Sequence, residues 1–384
     1  MFRKYIKFIL LILFFMIFIR ISIQQGIYAV EFNVIKYAGD VWLKAEGKPY
    51  ARIKKNDNIK TGDSVKTGRD SEIIFKNKED YFKLHAYGRI KIEKVPSLVY
   101  GKLSRSSVYQ FLDLHFYFTP LPAQGKTIKV IVRSKESKLN ISSSIYNENG
   151  YKNELFFYAL SSHTYRALAG FDVEAQPVKY YLTIKAYNEN GCFTEIIHPF
   201  YLKKMLYKSG KVFLTDEKKD LLKPSKQKDE ERKKLSQILS RASGKALWED
   251  TFIFPVNSPD IVSEFGKKRM YYVNNVFSFT SFHRGTDLKG ISGDPVFSPN
   301  NGVVVFSEER ITTGNTVAID HGQGVFSLFF HLESMDVQTG VIVKKGEKIG
   351  CIGSTGITEG AHLHWGLFVS GIYVDPSDWI KRVF

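Results

Sequence analysis

Cysteine is scarce in this chain of 384 residues: Cys192 and Cys351 are the only two, and they lie far apart. A disulfide framework therefore does not hold the fold, and a zinc site of four cysteines is excluded. No H-E-x-x-H pattern occurs, which removes the helical arrangement of two zinc-binding histidines around a glutamate base. Acidic residues are outnumbered: 39 Asp and Glu stand against 55 Lys and Arg, a formal charge of +16. That balance favours an acidic partner, whether nucleic acid, anionic lipid or an anionic wall polymer, and composition alone does not choose. The apolar run from Phe8 to Ile19 falls short of the roughly 20 residues of a spanning helix. Arg3, Lys4 and Lys7 precede it and Arg20 closes it, the layout of a secretory signal. Gly26-Ile27-Tyr28-Ala29 offers a cleavage site after Ala29. Left uncleaved, residues 1–30 would act as an inner-membrane anchor. No cysteine closely follows the run, which argues against a lipoprotein.

What is present is mostly strand-like. Hydrophobic residues make up 43% of the chain, enough to bury a core. Residues 31–105 alternate short apolar stretches with Gly, Asp and Asn, the pattern of short strands and tight turns. An echo, Ile59-Lys60-Thr61-Gly62 and Val65-Lys66-Thr67-Gly68, places a glycine at each turn. The stretch VIKYAGDVWLKAEGKPYARIKKNDNIKTGDSVKTGRDSEIIF resembles a FecR-like domain, which implies a small N-terminal β domain. In residues 110–205, Ile128, Val130 and Val132 alternate with polar residues, as do Leu182, Ile184 and Ala186. Period two marks half-buried strands. YRALAGFDVEAQPVKYYLTIKAYNENG resembles an Ig-like module, so a central β-sandwich is expected. Its His115 and His163 are isolated and read as structural.

Residues 206–250 turn to Lys, Glu, Asp and Ser. Leu235, Ile238, Leu239 and Ala242 sit at helical spacing after the start signal Pro224-Ser225, so a charged helical linker is expected. Asp229, Glu230 and Glu231 break the positive run, so a nucleic-acid partner is not expected.

Residues 251–384 hold five of the nine histidines, His283, His321, His331, His362 and His364, in Gly-rich and Val/Ile-rich sequence. In HLHW, a strand would point His362 and His364 to one face and Leu363 to the other. In HRGTD, His283 and Asp287 are spaced evenly by four and would also share a side of an extended segment, with Gly285 allowing close backbone approach. Two histidines and a carboxylate make a three-ligand set that leaves a position open for water, the composition of catalytic zinc sites and also of non-haem iron sites. Imidazoles left over would suit the transfer of protons in hydrolysis.

Four collinear stretches resemble the lysostaphin/LytM-type peptidoglycan endopeptidases. They are VSEFGKKR, HRGTDLKG with GDPVFSPNNGVVV, GNTVAIDHGQGVFSLFFHL, and KKGEKIGCIGSTGITEGAHLHWGL. The resemblance implies a compact antiparallel β peptidase domain in 251–384. It implies one Zn2+ held by His283, Asp287 and His364, with His331 and His362 as catalytic imidazoles. It further implies peptidoglycan as substrate and a place in the periplasm or cell envelope. Phe329 stands where this family often has Tyr, and Ala361 where Pro is common; the missing phenol would alter substrate hydrogen bonding. His321 reads as a turn residue, Asp375 as a strand end before Pro376, and Cys351 as a small buried residue. The alternative within the family is a non-catalytic wall-binding or amidase-activating protein, but such relatives lack site residues that are all retained here.

Overall fold

The computed structural model describes residues 31–384, apart from 55, 78–79, 93–95, 101–102, 107–111, 191–192, 215–222 and 242. The signal or anchor expected at 1–30, Cys192 and Ala242 lie outside the described residues. The expected mainly-β class holds, and the described residues contain two helices, Lys226–Leu239 and Ser377–Lys381. None of these is long and apolar enough to cross a membrane.

Contacts divide the chain into two compact units. One takes in residues up to Asp113 with Glu136–Glu154 and Tyr180–Phe200. The other takes in Leu114–Lys135, Leu155–Lys179 and Tyr201–Phe384. The residues expected to form a central sandwich thus contribute to both.

In the first unit, a nine-stranded sheet runs from Lys152–Leu155 at one edge to Asn58–Lys60 at the other, beside a five-stranded sheet from the 41–100 region. Alternate side chains turn inward, and Phe32, Ile59, Val65, Ile73, Phe75, Leu84 and Ile90 are all but fully buried. Phe32 meets Phe75 and Phe82 edge-on at 5.5 and 5.7 Å, a favoured aromatic geometry. Of the two echoed glycines, only Gly62 takes a positive φ, 98°. At the second turn that conformation falls to Asp70, with φ 52°, instead of Gly68.

In the second unit, a four-stranded sheet (Leu114–Phe118, Thr127–Ser134, Thr164–Gly170, Tyr158–Ser161) accompanies a ten-stranded sheet drawn from residues 261–374. Leu288, Val317, Ile319, Leu332, Leu363, Trp365 and Leu367 form the main core of the ten-stranded sheet. The linker helix starts where the sequence signals it: Ser225 accepts a hydrogen bond from the Lys228 amide, capping the first turn. Its Leu235 and Leu239 pack against Phe306, Ala318, Phe326, Leu328 and Phe330. Burying each stabilises the docking by roughly 1.5–3 kcal/mol. The linker also contains a strand that its charged composition conceals, Ser209–Leu214, running parallel to Lys268–Val273. Lys268–Val273 and Val276–Phe282 form a hairpin whose turn residues Asn274 and Asn275 both have positive φ, 49° and 64°. This is the backbone of a two-residue type I′ turn, which asparagine tolerates.

Candidate metal centre

The strand His362–Val369 lies between Thr286–Lys289 and Val325–Met335. Pairing sets Asp287 directly opposite His364 on one side and Phe330 opposite it on the other. Residues directly opposite share a face, with Cβ atoms about 4.5–5.5 Å apart. Leu363 and Trp365 point the other way and are fully buried. One strand therefore feeds core and site alternately, as the HLHW pattern implies.

His283 arrives by a different route from the one its spacing suggests. The chain from His283 to Asp287 is not extended; it bends at Gly285 between Val276–Phe282 and Thr286–Lys289, which belong to different sheets. The bend, not the even spacing, turns His283 toward Asp287. Gly285 is required there, since a Cβ would lie 2.3 Å from His364 Nε2.

Three donor atoms converge. His283 Nε2 is 3.0 Å from Asp287 Oδ1 and 3.0 Å from His364 Nδ1, and His364 Nδ1 is 2.9 Å from Asp287 Oδ1. A tetrahedral zinc ion with bonds of 2.0–2.1 Å needs ligand atoms about 3.3 Å apart, so this set fits one with shifts of a few tenths of an ångström. It is the sole such cluster among the described residues, and His115 and His163 have no part in it.

Backbone carbonyls fix the ring orientations. A carbonyl only accepts, so the ring nitrogen beside it carries the proton. His283 Nδ1–H donates to the Glu264 carbonyl at 3.0 Å, leaving the Nε2 lone pair for a metal. His362 Nδ1–H donates to the Gly360 carbonyl at 2.9 Å, and its Nε2 faces Asp287 Oδ1 at 3.7 Å. His331 Nδ1–H donates to the Thr355 carbonyl at 2.8 Å. The His331 and His362 rings lie 5.1 Å apart.

His331 owes its position to a β-bulge. Asn315 pairs with Leu332 and Val317 with Phe329, so two residues, Phe330 and His331, stand against Thr316 alone. His331 takes φ 65°, rare for a residue with a Cβ, and its amide is held by the Thr313 carbonyl at 2.9 Å. The bulge overturns the reading of Phe329. Two residues before His331, its ring is fully buried in the main core and its strand partner is Trp365. A phenol at 329 would enter that core, not the site. Phe330 is the ring beside the site, stacked on His364 at 4.8 Å.

Burial and charge set the protonation states. Burial raises the pKa of Asp287, but the adjoining rings of His283 and His364 outweigh that and hold it below the ordinary carboxylate range. Burial pushes His364 down to about 4 against the pull of Asp287, and pushes His331 down as well. Both imidazoles are thus neutral at pH 7, the form that binds a metal or accepts a proton.

The remaining candidates take structural roles. His321 is not in a turn; it ends the strand Gly314–Gly322, fully buried, with Nδ1 2.8 Å from the Asn301 carbonyl and Nε2 2.9 Å from Ser327 Oγ. Asp375 ion-pairs with Lys126 at 2.8 Å and accepts from the Ser377 amide. Cys351 is partly buried instead of fully so, with neighbouring Ile352 on the core side. Arg269 closes the VSEFGKKR stretch, where no local pattern marks it as part of a site; its Nη2 donates to Asp287 Oδ2 at 2.6 Å.

Residues 281–376 match the model of peptidase family M23. All five histidine and aspartate positions of the site fall inside that segment. Among relatives, the chain is 33% identical over 134 residues to the peptidoglycan DD-endopeptidase ShyC of Vibrio cholerae, covering 35% of this chain and 30% of that protein. It is 36% identical over 119 residues to ShyA of the same organism, covering 31% and 27%. The chain thus spans under a third of the length of these relatives. Among solved structures, lysostaphin from Staphylococcus simulans superposes on 34% of this chain and 53% of its own, with 25% identity and a TM-score of 0.29.

Proposed function

We propose that the C-terminal region is a zinc-dependent endopeptidase acting on the peptide part of peptidoglycan, and that the chain works outside the cytoplasmic membrane. The observation that carries this is the convergence of His283 Nε2, Asp287 Oδ1 and His364 Nδ1 within 3.0 Å of one another, with two further imidazoles beside them. His283, Asp287 and His364 would hold one zinc ion, which supplies Lewis acidity and a water activated near neutral pH.

The chain's own residues handle the protons. Hydrolysis breaks the C–N bond, adds OH to the carbonyl carbon and delivers a proton to the leaving nitrogen. His331 and His362 both have Nδ1–H tied to carbonyls, so each offers Nε2 to take a proton from water or return one to the amine. The names of the relatives, peptidoglycan DD-endopeptidases, favour a crosslink between stem peptides as the bond cut. The basic charge suits an anionic wall, and the upstream strand regions, read as FecR-like and Ig-like modules, would serve as accessory domains.

The test is digestion of purified peptidoglycan by the zinc-loaded full chain, with identification of new termini. His364→Ala should lose metal and activity together. His362→Ala should keep metal and lose about 10²–10⁴-fold in rate. Absence of new termini with the wild-type chain, or wild-type rate and zinc content in both variants, would overturn the reading.

A further inference from the structure

We propose that Arg269 is a positioning residue that makes Asp287 a one-oxygen metal donor. This rests on the reading of His283, Asp287 and His364 as zinc ligands. The two oxygens of Asp287 have separate partners. Oδ1 faces His283 and His364 at 3.0 and 2.9 Å, whereas Oδ2 accepts from Arg269 Nη2 at 2.6 Å. The same Nη2 donates to Ser263 Oγ at 3.1 Å, and Ser263 is paired with Asp287 on the neighbouring strand. Both hydrogens of that nitrogen are therefore used, which fixes the guanidinium and, through it, the carboxylate plane.

A buried carboxylate with both oxygens free can bind a metal through either or both. With Oδ2 committed to a cation, only Oδ1 remains, and a coordination position stays open for water. The hairpin that carries Arg269 also delivers His283. The His283 amide donates to the Lys267 carbonyl at 3.0 Å, and Lys268 pairs with Phe282. One local element thus sets a ligand and the partner of a second ligand. Arg269 lies upstream of the 281–376 segment that matches the family model.

The experiment uses the full chain and three variants, Arg269→Met, Arg269→Lys and Ser263→Ala. Zinc affinity is read by competition with a chelator, and coordination by the visible absorption of the cobalt(II)-substituted protein. Arg269→Met should bind zinc about 10–100-fold more weakly, as loss of a partner to a ligand does elsewhere. Its cobalt spectrum should weaken toward that of higher coordination as Oδ2 joins the metal. Arg269→Lys keeps the charge without the fork and should restore little of either property. Ser263→Ala leaves the ion pair in place but also removes a hydroxyl 3.3 Å from His283 Nδ1, so its readout is the cobalt spectrum, which should shift toward higher coordination by less than in Arg269→Met. Wild-type affinity and spectrum in Arg269→Met, or full rescue by lysine, would overturn the proposal. No zinc binding by the wild-type chain would instead overturn the metal-site reading on which it rests.

Discussion

In the strands from Glu31 to Ser106, inward positions are filled by Phe32, Val34, Ile59, Val65, Ile73 and Phe75, and turns by Gly and Asp. In the strands around the metal centre the same alternation sends Leu288, Leu363 and Trp365 inward and places Asp287 and His364 on the opposite face. The first region has irregularities of its own, a register shift between Val34 and Lys36 and a positive φ at Tyr87, but holds no ligand cluster among its described residues. The second departs from strand alternation at a few positions: a bend at Gly285, a bulge at His331, and a buried carboxylate against two imidazoles. Register shifts elsewhere in this region, such as that between Val304 and Phe306, carry no ligand; these three departures do the positioning at the site. If it holds zinc as proposed, a site that concentrates donors this way would draw local stability from the metal, which a purely apolar core would not.

The largest expected difference between the two regions follows metal removal. With zinc a thousandfold above its Kd, binding stabilises the folded site by about 4 kcal/mol. Chelation of the full chain should strip hydrogen-exchange protection from Thr286–Lys289 and the start of His362–Val369. Amides of Ile73, Phe75 and Leu84 should exchange as before. Equal loss in both regions, or none in either, would erase the contrast.

Gly285→Ala should come next. Its Cβ would sit 2.3 Å from His364 Nε2 and 2.8 Å from the Trp365 carbonyl oxygen, so the ligand imidazole or the strand must move. A misplacement of about 1 Å can cost 10²-fold in rate, and a loss of at least that size is expected with weaker zinc binding. Protection in the 31–106 core should be unchanged. A variant with wild-type zinc affinity would mean that the bend has slack the geometry does not show.

Much of this was legible in the sequence, for identifiable reasons. Period two gave the shared face of His362 and His364, and the apolar alternation gave the β class. The capping serine and the pair Leu235 and Leu239 gave the helix. What escaped is tertiary. His283 and Asp287 converge through the bend at Gly285, which even spacing on an extended chain does not anticipate. A bulge breaks the count of two, so Phe329 read as a neighbour of the site when Phe330 is. Arg269 is eighteen residues from Asp287, and a contact across sheets leaves no local pattern. The strand Ser209–Leu214 is supported by its partner Lys268–Val273 more than by its own composition.

His321 gives the smallest effect and the sharpest control, because it is a fully buried imidazole of the same unit whose partners, Asn301, Ser327 and Phe252, lie outside the site. Burial pushes its pKa down to about 4, with the Asn301 carbonyl opposing. An unfolded histidine titrates near 6.5, so folding favours the neutral ring. The folded pKa lies below the unfolded one. The contribution is therefore complete above about pH 6.5 and is lost progressively as pH falls toward 4. Between pH 8 and pH 5 the loss is about 2 kcal/mol. Three of the four tryptophans, Trp248, Trp365 and Trp379, lie in the same unit as His321, so fluorescence-detected urea unfolding reports on it. The comparison is made on metal-free protein, where His364 contributes to wild type and variant alike. His321→Gln retains a donor for Asn301 and an acceptor for Ser327 but does not titrate. It should be less stable than wild type at pH 8, yet lose about 2 kcal/mol less on going to pH 5. Parallel stability profiles for the two proteins would show that His321 contributes nothing to the acid sensitivity of this unit.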